Sequence, residues 1–122
     1  MENIIDACIT CNTDYDIANA IHKILIDKYK YIENNTWEYF DDISNKWYID
    51  IKNKNFKNAI KNDVCKEFIQ RSIYWANQTK TVNSKTDIMS SKLLFIGNKM
   101  KDDKYISNII KECKQFFITD ES

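Results

Sequence analysis

Cys8, Cys11, Cys65 and Cys113 are the residues of this chain whose type and spacing come nearest to a chemical site. Cys8 and Cys11 form a Cys-x-x-Cys pair, and four thiolates match the needs of a tetrahedral zinc ion. Structural zinc, however, draws its ligands as two closely spaced pairs. Cys65 and Cys113 stand alone and far apart, each within an apolar helical pattern. The spacing favours buried or incidental thiols, and no metal or other cofactor is expected. "MENIIDACITC" lacks the basic start and long apolar run of a signal peptide, and no stretch approaches the roughly 20 apolar residues of a membrane span. A soluble, intracellular chain with reduced thiols is the expectation.

Acid–base chemistry finds no better footing. His22 is the only histidine; it falls between Ile21 and Ile24, one position off an apolar stripe, without a Ser or Cys partner at a motif spacing. It reads as a boundary residue rather than a general base. Asp14 with Asp16, Asp41 with Asp42, and Asp102 with Asp103 lie near helix starts and turns, where capping calls for carboxylates. Arg71, the sole arginine, is expected to form a surface ion pair, with a subunit contact as the alternative. Asn34 opens an Asn-x-Thr glycosylation triplet, which carries no weight in an intracellular chain. A single glycine excludes a Gly-rich phosphate-binding loop. No catalytic constellation emerges, and the chain is not expected to be an enzyme.

Nucleic-acid contact is the remaining class. The 18 Lys and Arg equal the 18 Asp and Glu, so the chain as a whole lacks an excess positive field and any contact must be a local patch. Lys54, Lys57 and Lys61 share a helical face with Asn58 nearby. Lys46 and Lys52 flank a strand that carries Trp47 and Tyr48. These seven Lys, Trp and Tyr residues are the candidates for phosphate and base contact. Lysines on a helix are more commonly a solvated face, and tryptophans in a small sheet are more commonly core. The rings between Asn34 and Asp50 are therefore expected to be interior.

The elements that must position these residues follow from periodicity. One domain is expected from 122 residues of which 43% are hydrophobic. Residues 1–12 show no clear period and read as an N-terminal extension or short helix. Thr13 and Asp16 approximate a capping box, and Ile17, Ile21, Ile24 and Leu25 predict a helix over 14–29. "KYKYIEN", "TWEYFDD" and "KWYIDI" predict a three-stranded meander. Trp37 and Tyr39 share one face of it, Glu38 and Phe40 the other, and Trp47 and Ile49 alternate with Lys46, Tyr48 and Asp50. With one glycine and no proline, turns fall to Asn34-Asn35 and Ser44-Asn45. A long helix is predicted over 55–77, then a polar loop in which Thr86 or Asp87 caps the next helix. That helix carries Met89, Leu93, Ile96 and Met100, with Gly97 near a fray or turn. A last helix carries Ile106, Ile109, Ile110, Cys113 and Phe117, and 119–122 reads as an exposed tail. The class is α+β, mostly α-helical, with the domain spanning 13–118. Many Ile, Asn and Lys codons point to an AT-rich genome.

Four stretches carry a resemblance. "TDYDIANAIHKILIDKYKY", "NNTWEYFDDISNKWYID", "KEFIQRSIYWAN" and "NIIKECKQFF" resemble, in order and at comparable spacing, the domain just upstream of the superfamily 3 helicase in poxvirus-type and giant-virus primase-helicases and in related phage primases. The resemblance covers roughly residues 13–117. It implies a non-catalytic domain that links primase and helicase modules of one polypeptide, helps organise the helicase ring, and contacts DNA, single-stranded DNA being the partner. It implies a place in the host cytoplasm at the site of viral replication, an isolated monomer or weak dimer, and no transferable catalytic residue. The alternative is a stand-alone viral interaction domain that binds a host or viral partner through wide apolar faces.

Overall fold

The computed structural model describes residues 3–11, 13–78 and 84–118. In chain order these form α1 (Ile4–Cys11), α2 (Asp14–Ile24), β1 (Tyr29–Glu33), β2 (Thr36–Asp41), β3 (Lys46–Ile49), α3 (Lys54–Ala59), α4 (Cys65–Asn77), α5 (Ser84–Lys99) and α6 (Asp103–Phe117). A π-helical turn, Ile60–Val64, joins α3 and α4 into one rod. The sheet is antiparallel in the order β1-β2-β3. The expected α+β, mostly helical class is what the chain adopts.

Thr13 caps α2 by accepting the Asp16 N–H, and its hydroxyl also meets the Asp16 carboxylate. Ile17, Ala18, Ala20 and Ile21 bury the face toward the core. The helix stops at Ile24, short of the predicted 29. Two observations explain this: Asp27 is left-handed (φ 66°), and the Lys28 carbonyl accepts the Phe40 N–H at 2.9 Å. Sheet pairing thus recruits backbone that the apolar period would have left helical.

Asn34 and Asn35 form the two-residue loop between the paired Glu33 and Thr36, both with positive φ (51° and 62°). That geometry matches the twist of antiparallel strands but is open mainly to Gly, Asn and Asp. In the second loop Asn45 is left-handed, and the Asp41 carboxylate accepts the Ser44 hydroxyl (2.7 Å) and N–H (3.1 Å). Those bonds, the hydroxyl foremost, hold the Asp41 carboxyl below its ordinary range.

Along the rod, Phe56, Ile60, Val64 and Phe68 are each fully buried. Three steps of four residues drift about 120° around a regular α-helix, enough to carry the stripe off the core. The wider π-turn takes back part of that drift. The hairpin of α4 and α5 then closes on small residues. Ser72 and Ser90 exchange hydroxyl-to-carbonyl bonds (2.7 and 2.9 Å), and the Cys65 thiol donates to the Gly97 carbonyl (3.2 Å). Gly97 is buried within α5 and packs against α4, so its role is close helix approach rather than the expected fray or turn. Thr86 and Asp87 are also not caps: α5 begins at Ser84, which places them inside its first turns, with Thr86 buried. Asp102 caps α6 by accepting the Tyr105 N–H at 2.8 Å.

Helix α1 belongs to the same core through Ile5 and Cys8. Asp6 anchors it: Arg71 donates from Nε (3.0 Å) and Nη2 (2.8 Å), and Trp75 donates from its indole N–H (3.0 Å). Arg71 also lies over the Tyr74 ring, 4.1 Å from its centre. The expected surface pair is therefore a bidentate, largely covered one. The predicted tail at 119–122 lies outside the described residues.

Burial pushes the Asp6 carboxyl up, but hydrogen bonds from Arg71 and Trp75 and the guanidinium charge outweigh it and hold the group below its ordinary value. A lowered folded-state value adds stability that is present above the unfolded value near 3.8 and is lost as pH falls through the folded one. Asp6→Asn should cost about 2 kcal/mol at neutral pH, and the gap to wild type should narrow as the carboxyl protonates at acid pH, in urea denaturation across pH. At Gly97 an added Cβ would meet Ile69 Cγ1 at 3.1 Å and Phe68 Cβ at 3.4 Å. Gly97→Ala should be near neutral, since about 1 kcal/mol of helix propensity offsets the crowding. Gly97→Val should lose about 2 kcal/mol in the same assay.

Candidate nucleic-acid interface

Strand alternation separates the aromatic candidates. The register pairs Tyr39 with Tyr48 and Phe40 with Trp47, so Trp47 and Tyr48 occupy opposite faces of the sheet. Trp37, on the inner face, is 1% exposed, whereas Trp47 is 36% and Tyr48 42% exposed. The expectation that all these rings are interior holds for Trp37 and fails for Trp47 and Tyr48. The reason is that helices cover only one face of the sheet, and Tyr48 sits on its outer strand.

On the outer face Trp47 is not an open stacking platform. Lys30 Nζ lies 4.3 Å from the centre of its ring and Phe40 packs edge-on at 5.3 Å. Lys30 also approaches Glu38 at 3.6 Å. A base seeking the Trp47 face would have to displace an ammonium group already bound there. Tyr48 donates its hydroxyl to Ser44 at 3.1 Å, and Lys46 stands opposite Asp41 in the ladder. These two share a face with each other and not with Trp47.

The helical lysines divide as well. Lys61 is paired with Asp103, whose carboxyl is held low first by that bond and then by the charges of Lys61 and Lys57. Lys52 sits in a left-handed turn (φ 55°) and is exposed; Lys54 is exposed on the first turn of α3. Lys57 is half-buried. It borders a hollow of about 210 Å³ together with Lys111 and Lys114 of α6. Neither α6 lysine stood among the sequence candidates. Their three-residue spacing puts them on one helical face, but nothing in the chain order announces that this face meets Lys57.

The element carrying Lys54 and Lys57 starts where it does because of Asp50. Its side chain is buried and accepts the N–H groups of Asn55 and Phe56, both at 2.8 Å, while its own N–H bonds to the Trp37 carbonyl. Asn53, which immediately precedes α3, makes no side-chain cap. The cap comes from three residues further back and welds β3 to the helix.

The remaining chemical candidates disperse. Cys65 bonds to Gly97, and Cys8 lies near the Ile4 and Asp16 carbonyls (3.6 and 3.5 Å). Burial raises the Cys113 thiol far above its ordinary value. The side chain of Cys11 lies outside the described residues. Among the described residues no three His, Cys, Asp or Glu side chains are grouped to hold a metal ion. His22 packs its ring on Phe116 and edge-on to Phe117 (4.8 Å), and burial lowers its pKa. That environment is the boundary position its sequence neighbours suggested. No helix among the described residues is long and apolar enough to cross a membrane.

Compared with known proteins, the chain matches no family, no curated protein and no solved structure. Its geometry must speak for itself.

Asp50→Ala leaves two helix-start N–H groups without an acceptor and should lower stability by about 2 kcal/mol. Asp50→Asn, which keeps one acceptor, should fall between. Urea midpoints rank the three proteins, and equal midpoints for Asp50→Ala and wild type would contradict the remote cap.

Proposed function

We propose that the chain is a non-catalytic domain of a viral DNA-replication primase-helicase, a rigid spacer between the primase and helicase modules that also touches single-stranded DNA. One observation carries this proposal: the segments that resemble the helicase-preceding domain supply the joints of the fold. Trp37, from the aromatic meander, meets Phe117, from "KECKQFF", at 5.6 Å. Ile17 and Ala18, from "DYDIA", are buried, and Arg71 and Trp75, from "KEFIQRSIYWAN", hold α1. The four stretches of resemblance thus contribute to one packing scheme, which is what a rigid spacer requires.

The second reading, a stand-alone interaction domain, draws on a different observation. Ile73 and Tyr74 of α4 and Ile88, Leu94 and Phe95 of α5 are exposed along one hairpin. Such rings and branched chains suit a protein partner.

The coding sequence on either side separates the two. An open frame that encodes a primase upstream and a ring-forming ATPase downstream is the expected result. A start codon at Met1 with a stop codon after Ser122 would overturn the spacer role and favour the interaction domain. With the parent polypeptide in hand, removal of this domain should uncouple primer synthesis from unwinding while ATP hydrolysis persists.

A further inference from the structure

Three ammonium groups converge on the hollow between α3, α6 and the first hairpin. Lys57, Lys111 and Lys114 line it with Asn35, Asn53 and Ser107, and no carboxylate is among its lining residues. The chain as a whole has no net charge, so three cations around one concavity are a local concentration of charge. Among the described residues none of the three lies within 4.0 Å of a carboxylate, whereas Lys28, Lys30 and Lys61 do. Lys57 feels Asp103 only at longer range, and that carboxylate is already engaged by Lys61.

A second observation points the same way. The Asn53 side-chain amide nitrogen is shut off from water and has no hydrogen-bond acceptor. Asn53 holds a left-handed conformation (φ 57°) just before α3 and lines the hollow. A buried donor without an acceptor is costly, and a rotation of the Asn53 amide toward the hollow would let an anionic oxygen satisfy it. Lys114 is held in place before any ligand arrives: its ammonium donates to the Asn35 side-chain carbonyl and lies 5.2 Å from the centre of the Tyr31 ring. Less side-chain freedom then remains to be lost on binding.

We propose that this hollow binds a phosphoryl group. Lysines approaching from two helices, with an amide and the Ser107 hydroxyl, suit a tetrahedral oxyanion with several acceptor oxygens better than a planar carboxylate, for which an arginine fork is the better match. About 210 Å³ leaves room for such a group and some of its water. Resting on the DNA contact proposed above, the source is a backbone phosphate of single-stranded DNA. The contact is then centred on Lys57, Lys111 and Lys114 rather than on Lys46, Lys52 and the rings of Trp47 and Tyr48.

The test is titration of the full 122-residue chain, followed by backbone amide NMR, with two probes: a short oligothymidylate without terminal phosphate, and inorganic phosphate alone. The oligonucleotide should shift the amides of Asn53, Ser107 and Lys111. Replacing all three lysines by Gln should weaken its binding about tenfold and reduce the salt dependence by about 0.7 in the logarithmic slope for the lost phosphate. Lys111→Gln alone, at an exposed position, should give a smaller loss in the same direction without disturbing the fold. Inorganic phosphate that shifts these amides while the oligonucleotide does not would keep the oxyanion site and overturn its nucleic-acid source. Oligonucleotide binding that persists in the triple variant, with shifts around Trp47, would overturn the hollow and leave DNA contact standing. No shift at these amides with either probe overturns the site altogether.

Discussion

The indole of Trp37 is where the two halves of this fold meet. Its ring lies 5.2 Å from Tyr31, 4.8 Å from Phe56 and 5.6 Å from Phe117, and Phe56 and Phe117 are themselves 5.4 Å apart. One contact comes from the sheet, one from the first turn of the long rod and one from the end of the last helix. A meander of three short strands is marginal in water by itself. Tilted and edge-on aromatic pairs each add about 0.5–1.5 kcal/mol beyond the area they bury, so this cluster is a large part of what makes the sheet a fixed feature.

Around that cluster the chain makes its sharp turns without glycine or proline to help. Asp27, Asn34, Asn35, Asn45, Lys52 and Asn53 all adopt positive φ. Asn and Asp accept that conformation at modest cost because a short polar side chain can bond nearby backbone; Lys52 has no such relief. Its strain is local to the Asp50 junction, where three hydrogen bonds fix the helix start against β2. The same junction sets Asn53 and Lys57 at the edge of the basic hollow. A structural cap and a candidate binding surface are thus consequences of one buried carboxylate.

The single glycine is spent elsewhere, at the crossing of α4 and α5. There the missing side chain, together with Ser72, Ser90 and Cys65, lets two backbones approach within hydrogen-bond reach of side chains on the neighbouring helix. This end of the molecule, with α1 clamped on by Asp6 and Arg71, is held together by contacts distinct from those at the sheet. Such packing holds surface charges in a fixed arrangement, and preorganised donors lose little freedom on binding.

Much of this architecture was legible in the order of residues. Ile106, Ile109, Ile110, Cys113 and Phe117 fall on one helical face whatever they pack against, and the alternation of Trp37 with Glu38 and Phe40 assigns their sides of a strand before any partner is known. Thr13 and Asn34-Asn35 announce their roles because caps and tight turns are local devices. Which face of the sheet is covered is not local, so the burial of Trp37 and the exposure of Trp47 could not be told apart from composition. Nor could the end of α2, where a strand residue twelve positions away claims the Lys28 carbonyl, or the promotion of Arg71 from a surface residue to the anchor of α1. Periodicity determines what a segment can offer; only tertiary packing decides which offers are taken up. That is why Lys57, Lys111 and Lys114, separated by more than fifty residues of chain between the first and the other two, share one hollow that no spacing rule could have disclosed.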